Sequence, residues 1–130
     1  MSPELIANNP LLKLSIEFSL DIIHYCEQLE SNKKYILAKQ LLRSATSIGA
    51  NAMEAQNPES NADFIHKIKV AAKEADETQY WLTLCDYSTN YPDCKLLIQK
   101  LDILAKIINK ILFTSKKKTP ISYLLSFLFF

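Results

Sequence analysis

The chain has 130 residues, 48% of them hydrophobic, with 15 Lys and Arg against 14 Asp and Glu and a formal net charge of +1. One domain of this length buries a core without disulfides or a metal, and the balanced charge supplies no global field toward nucleic acid or an anionic membrane. A single glycine and five prolines speak against a turn-rich sheet protein, so an all-α fold with short connections is expected.

Residues 1–9 form an N-terminal extension with no basic segment leading into an apolar signal core, which points to a cytoplasmic setting. Asn9-Pro10 then places a capping side chain before a proline, and a helix is expected from Leu11 to about Leu29. It carries two apolar rows: Leu12, Ile16, Leu20 and Ile23, and Leu14, Phe18, Ile22, Tyr25 and Leu29. Apolar character over most of a helix circumference implies burial on two sides, in the bundle and against a neighbouring subunit.

Ser31-Asn32 breaks the pattern, and a second helix is expected from about Lys33 to Ala55, stopped by Asn57-Pro58. Gln40, Arg43, Ser47, Asn51 and Glu54 fall within a stripe about 80° wide at roughly 100° per residue, beside an apolar row of Leu41, Ala45, Ile48 and Ala52. Ordered polar groups of this kind suit hydrogen bonding to another helix, subunit or ligand. Gly49, mid-helix, costs roughly 1 kcal/mol against alanine, which close helix approach can offset.

Ser60 is a cap for a third helix, with Asp63 favourable near its positive end. Phe64, Ile68, Ala71, Ala75, Thr78, Leu82 and Cys85 make a four-three seam facing a core. Asn90-Tyr91-Pro92 is read as the start of a fourth helix, with Leu97, Leu101, Leu104, Ile108 and Ile111 repeating that spacing to about Thr114. Residues 10–115 thus make an up-and-down antiparallel four-helix bundle. Residues 116–130 differ: Lys116, Lys117 and Lys118 lead into an apolar stretch, 121–130, about half a membrane span long. This tail is expected to pack on the bundle or a neighbouring subunit, with disorder and a lysine-assisted membrane-surface contact as the alternatives, and no transmembrane segment is expected.

Cys26, Cys85 and Cys94 are odd in number with no C-x-x-C pair, so each reads as a small buried hydrophobe in a reducing compartment. Asp21-x-x-His24 and Asp63-x-x-His66 superficially fit a dinuclear metal site in a bundle. Helical spacing puts Asp21 and His24 beside Lys13, Glu17 and Gln28, and His66 beside Lys73 and Tyr80, away from the core, so no metal and no cofactor are expected. No H-E-x-x-H, glycine-rich phosphate loop or G-x-S-x-G elbow occurs, and no catalytic residue is assigned.

The polar stripe has a structural reading, with Arg43 pairing with Glu74 or Glu77 of the third helix and Ser47 and Asn51 bonding across the helix interface. Its alternative is RNA or DNA binding through Arg43, Lys67, Lys69, Lys73 and Lys116 to Lys118. Glu74, Asp76 and Glu77 interrupt the middle group.

These residues carry a family resemblance. Gln40-Leu41-x-Arg43-Ser44-x-Thr46-Ser47-Ile48-Gly49-Ala50-Asn51-Ala52-x-Glu54-Ala55, then Ser60, Asp63-Phe64, Lys67 and Lys73-Glu74-Ala75-x-Glu77-Thr78-x-Tyr80-Trp81-Leu82, resemble the bacterial four-helix-bundle family encoded in intervening sequences of large-subunit ribosomal RNA genes. The chain is also similar to the accessory variability protein of diversity-generating retroelements, a basic pentamer that works with nucleic acid. The resemblance covers about residues 10–115 and implies a homo-oligomer, in the form of a homopentameric ring. The near-neutral charge, and Ala55-Gln56-Asn57-Pro58 where glycine and basic residues are usual, depart from the more basic relatives. The expected role is a non-enzymatic oligomeric scaffold or interaction protein.

Overall fold

The computed structural model of the chain describes residues 2–115, which form five helices and, among these residues, no strand. A short α1 (Pro3–Asn8) precedes four long helices, α2 (Pro10–Ser31), α3 (Tyr35–Glu54), α4 (Asn61–Tyr87) and α5 (Lys95–Ser115). Helix α2 packs on α3, α3 on α4, α4 on α5, and α5 closes on α2, so short connections deliver the expected antiparallel bundle. Lys116 to Lys118 and the apolar stretch 121–130 lie outside the described residues.

The caps explain the helix starts. Asn9 accepts the Leu12 N–H at 3.2 Å through its side chain and donates to Gln56 Oε1 at 3.1 Å, so the buried cap also ties α2 to the end of α3. Ser60 Oγ accepts the Asp63 N–H at 3.0 Å, and Asp63 returns to the Glu59 N–H at 3.1 Å. The extension carries the same kind of signal: Ser2 caps Leu5 and Pro3 opens α1, a helix the sequence reading left out.

One start differs. Pro92 does not open the last helix; its carbonyl accepts from the Tyr25 hydroxyl at 2.8 Å, which pins residues 91–94 as a link across to α2. Asn90 turns with φ 65°, a left-handed position asparagine tolerates. Helix α5 then starts at Lys95, whose N–H bonds Asp93 Oδ1 at 3.1 Å.

All seven residues of the α4 seam and all five of the α5 row are buried. Alanines at 38, 45 and 52 keep α3 slim against this core. A Cβ built at Gly49 would lie 3.2 Å from Ser15 Cβ, so the glycine permits the close α2–α3 approach. Between α3 and α4, Thr78 Oγ1 lies 2.9 Å from Ser44 Oγ and 2.7 Å from the Glu74 carbonyl, a buried polar contact inside the seam.

The three cysteines are buried free thiols. Burial pushes Cys26 from 9.0 up to about 12, with neighbouring Cys85 adding to the effect, and pushes Cys94 to about 11. At pH below 9.0 the Cys26 thiolate is therefore about a thousandfold scarcer than in an unfolded chain. A thiol reagent at mildly alkaline pH is expected to leave native Cys26 unmodified and label it fully in denaturant, read by intact mass. The raised value also fixes a sign: the unfolded chain releases this proton first, so stability holds below pH 9.0 and falls as pH climbs toward 12.

Candidate interaction surfaces

The polar stripe of α3 runs along the edge that faces α4. Arg43 donates to Glu74 Oε2 at 3.2 Å and also to Glu77 Oε2, joining the two helices through one guanidinium. The Trp81 indole N–H donates to the same Glu77 oxygen at 3.0 Å. The indole, reinforced by Arg43, holds the Glu77 carboxyl below its usual range, so it stays ionised at neutral pH. At the stripe's end, Lys67 of α4 reaches Glu54 at 3.1 Å, and this contact raises the lysine.

Ser47 and Asn51 turn inward along their own helix rather than crossing to α4. Ser47 Oγ donates to the Arg43 carbonyl at 2.6 Å and Asn51 Nδ2 to the Ser47 carbonyl at 2.8 Å, a local choice open to short polar side chains. The crossing hydroxyl contact is instead Ser44 with Thr78, which lies nearer the core. Gln40 stands apart from the ion pairs, in a separate cleft.

The cations considered for nucleic acid are not brought together. Arg43 and Lys67 are committed to carboxylates. Lys69 and Lys73 are exposed and lie roughly 160° and 120° around α4 from Lys67. The acid-x-x-His pairs are also spent otherwise: Asp21 pairs with Lys100 of α5, Asp63 serves the α4 cap, and His24 and His66 are exposed. No cluster with metal-ligand geometry occurs among the described residues.

Two further surfaces stand out. On α2 the core takes Phe18, Ile22, Tyr25 and Leu29, while the other apolar row divides: Leu12 is buried, Ile16 part-buried, and Leu20 and Ile23 face outward, 61% and 41% exposed. A shallow apolar groove runs beside it between α2 and α3, lined in part by Ser15, Ile16, Leu20, Gly49 and Met53. Ser15 Oγ is buried there without a hydrogen-bond partner among the described residues.

The second lies at the end of the bundle where α2 turns into α3. A cleft of about 550 Å3 is lined by Lys33, Lys34, Tyr35, Gln40, Trp81 and Tyr91, together with Ile36, Leu37 and Leu84. Lys34 Nζ sits 5.1 Å from the centre of the Tyr91 ring, within cation–π range. Lys33 adopts φ 63°, a left-handed conformation that costs a non-glycine residue roughly 1 kcal/mol. Sequence reasoning missed this site because charge was weighed over the whole chain, where it balances. The local signal is plain: from Ser31 to Met53 there are four cations, Lys33, Lys34, Lys39 and Arg43, and no acid.

The chain matches a family model described as 23S rRNA-intervening sequence protein over residues 7–110. Among solved structures it is similar to a protein of unknown function from the S23 ribosomal protein family of Bacteroides thetaiotaomicron, at 35% identity and a TM-score of 0.75, covering 78% of this chain and 97% of that one. No curated protein matches. Among the described residues no helix is long and apolar enough to cross a membrane.

Proposed function

Since the chain belongs to the family of 23S rRNA-intervening sequence proteins, we propose that it acts without catalysis, as a cytoplasmic homo-oligomeric scaffold whose subunits meet along α2. The supporting observation is the pair Leu20 and Ile23 on α2, which stay in water although α2 already has an inward face in the core. Apolar residues aligned along one helix beside an apolar groove favour burial against a flat helical partner, and a second copy offers that surface by symmetry. A homopentameric ring is the assembly proposed.

Within the polar stripe, Arg43 with Glu74 and Glu77, and Glu54 with Lys67, serve in this reading to fix the α3–α4 register, while Ser47 and Asn51 bond within α3 and Gln40 lies apart. The Glu77 carboxylate, held ionised by the Trp81 indole and by Arg43, is a poor general acid near neutral pH, which supports a non-catalytic role. Sedimentation at micromolar concentration tests the proposal. A species of about 75 kDa, five times the 14.9 kDa chain, is the expected result, and a stable monomer overturns it. Arg43→Ala is expected to lower the denaturation midpoint only slightly, since the guanidinium is half-exposed and its pairs are screened by solvent.

A further inference from the structure

We infer that the cleft at the α2–α3 turn is a binding site for single-stranded nucleic acid, with Lys33, Lys34 and Lys39 on the phosphates and an unpaired base stacked on Tyr35 beside Trp81. This goes beyond the scaffold reading and does not depend on it. Three observations carry it. The first is charge. Lys33, Lys34 and Lys39 form no ion pair among the described residues, and the segment that bears them holds no acid from Ser31 to Met53. Glu77, one turn of α4 from Trp81, bonds the Trp81 indole and is matched by Arg43. An uncompensated cationic strip is complementary to a polyanion.

The second is the aromatic lining. Tyr35 is 58% exposed although it opens a helix whose inward face is filled, and Trp81 and Tyr91 are half-buried, each with a face or edge toward the cleft. Tyr80 props Trp81 edge-on at 5.2 Å, which fixes the indole plane. Rings that line a cationic cleft stack unpaired bases without demanding sequence, whereas duplex bases are already stacked on each other and present only their edges. Gln40, one turn from Ile36 on the same helix, brings an amide that hydrogen-bonds a base edge.

The third is Lys33 itself. Its left-handed backbone is a position that glycine fills at lower cost, yet the chain carries a cation there. Tyr35, Lys39 and Arg43 follow at four-residue steps, so the ring and the free lysine share one ridge of α3. An acidic peptide would use the same lysines but has no base to stack, and the rings favour the nucleic acid.

Trp81 is the single tryptophan of the chain, so its emission reports the cleft directly. The probe is a short single-stranded RNA of mixed sequence at low salt, with the full chain. The expected result is saturable quenching of Trp81 and a dissociation constant that weakens steeply with added salt. Tyr35→Ala is expected to weaken binding about tenfold. Lys33→Glu with Lys34→Glu is expected to weaken it about tenfold or more and to flatten the salt dependence. Lys33→Gly guards against misfolding as an explanation, because it is expected to raise the melting temperature while reducing affinity. Lys69→Glu with Lys73→Glu, two to three turns along α4 from Trp81, is expected to change nothing.

Absence of binding at low salt overturns the inference. So does equal competition by heparin or polyglutamate without any change in Trp81 emission, which would leave an unspecific anion surface. Binding lost in the Lys69 and Lys73 variant but kept in the cleft variants overturns it as well. Sedimentation of the same samples reads assembly separately, so failure here and failure of the scaffold proposal are distinguishable.

Discussion

Leu20→Glu combined with Ile23→Glu is expected to turn the assembly into monomers at micromolar concentration while leaving helicity unchanged. Both side chains are exposed in the single chain, 61% and 41%, so carboxylates there meet water and cost the isolated bundle little. In a subunit interface the same carboxylates are stripped of water without a cation to receive them, and several copies repeat the penalty around a ring. An effect of several kcal/mol per contact moves a micromolar assembly far into dissociation. Mass by light scattering and far-ultraviolet circular dichroism decide it together. Tyr87→Glu, at another strongly exposed ring, is the control and is expected to leave the mass unchanged. If the double variant keeps the parental mass, α2 is not the contact.

Phe64→Ala is expected to be the most destabilising single truncation, at about 3–5 kcal/mol. Phe64 is fully buried at the first turn of the α4 seam and is among the largest side chains sealed from solvent. Its removal leaves a cavity whose walls, helical backbone on several sides, collapse only in part. Urea unfolding at fixed protomer concentration measures it, with a shifted midpoint and an unchanged slope. Phe64→Leu keeps much of the volume and is expected to lose less than half as much. A loss for alanine below about 1 kcal/mol would mean that this end of the bundle is already loosely packed.

The two variants probe different layers of what the sequence discloses. The core was legible because burial imposes period: the four-three spacing from Phe64 to Cys85 and from Leu97 to Ile111 has no other simple cause, and every one of those positions is buried. Caps at Asn9 and Ser60 were legible because a side-chain oxygen before a helix serves backbone N–H groups that nothing else reaches. The start of α5 was misread since a proline signals a helix start only when its neighbours take helical angles. Here a tyrosine 67 residues away captures the Pro92 carbonyl, a tertiary fact invisible to local rules.

The surfaces were legible only in part. The pairing of Arg43 with Glu74 and Glu77 follows from opposite charges on adjacent helix edges, and it is present. The destinations of Ser47 and Asn51 do not follow, because a short polar side chain chooses between its own helix and a neighbour by an ångström or less of separation. The lysine and tyrosine cleft needs the α2–α3 turn and the start of α3 folded against the end of α4 and the link that follows it, so residues from four segments of the chain meet there. Only its charge signature is local, and only at a window of about twenty residues does that signature appear.

The contacts that close α5 onto α2 also set an order of events. Asp21 waits for Lys100, and Tyr25 for the carbonyl of Pro92, partners that lie 79 and 67 residues further along the chain. The α2–α3 and α3–α4 seams join helices that follow one another directly. A chain emerging from the ribosome therefore has a three-helix sheaf ready before its fourth wall is made. During that interval the inward face of α2 is covered on one flank only, and its two polar latches stand open. Until Pro92 and Lys100 arrive, both faces of α2 are sticky, and the moment of latching separates folding within a chain from association between chains.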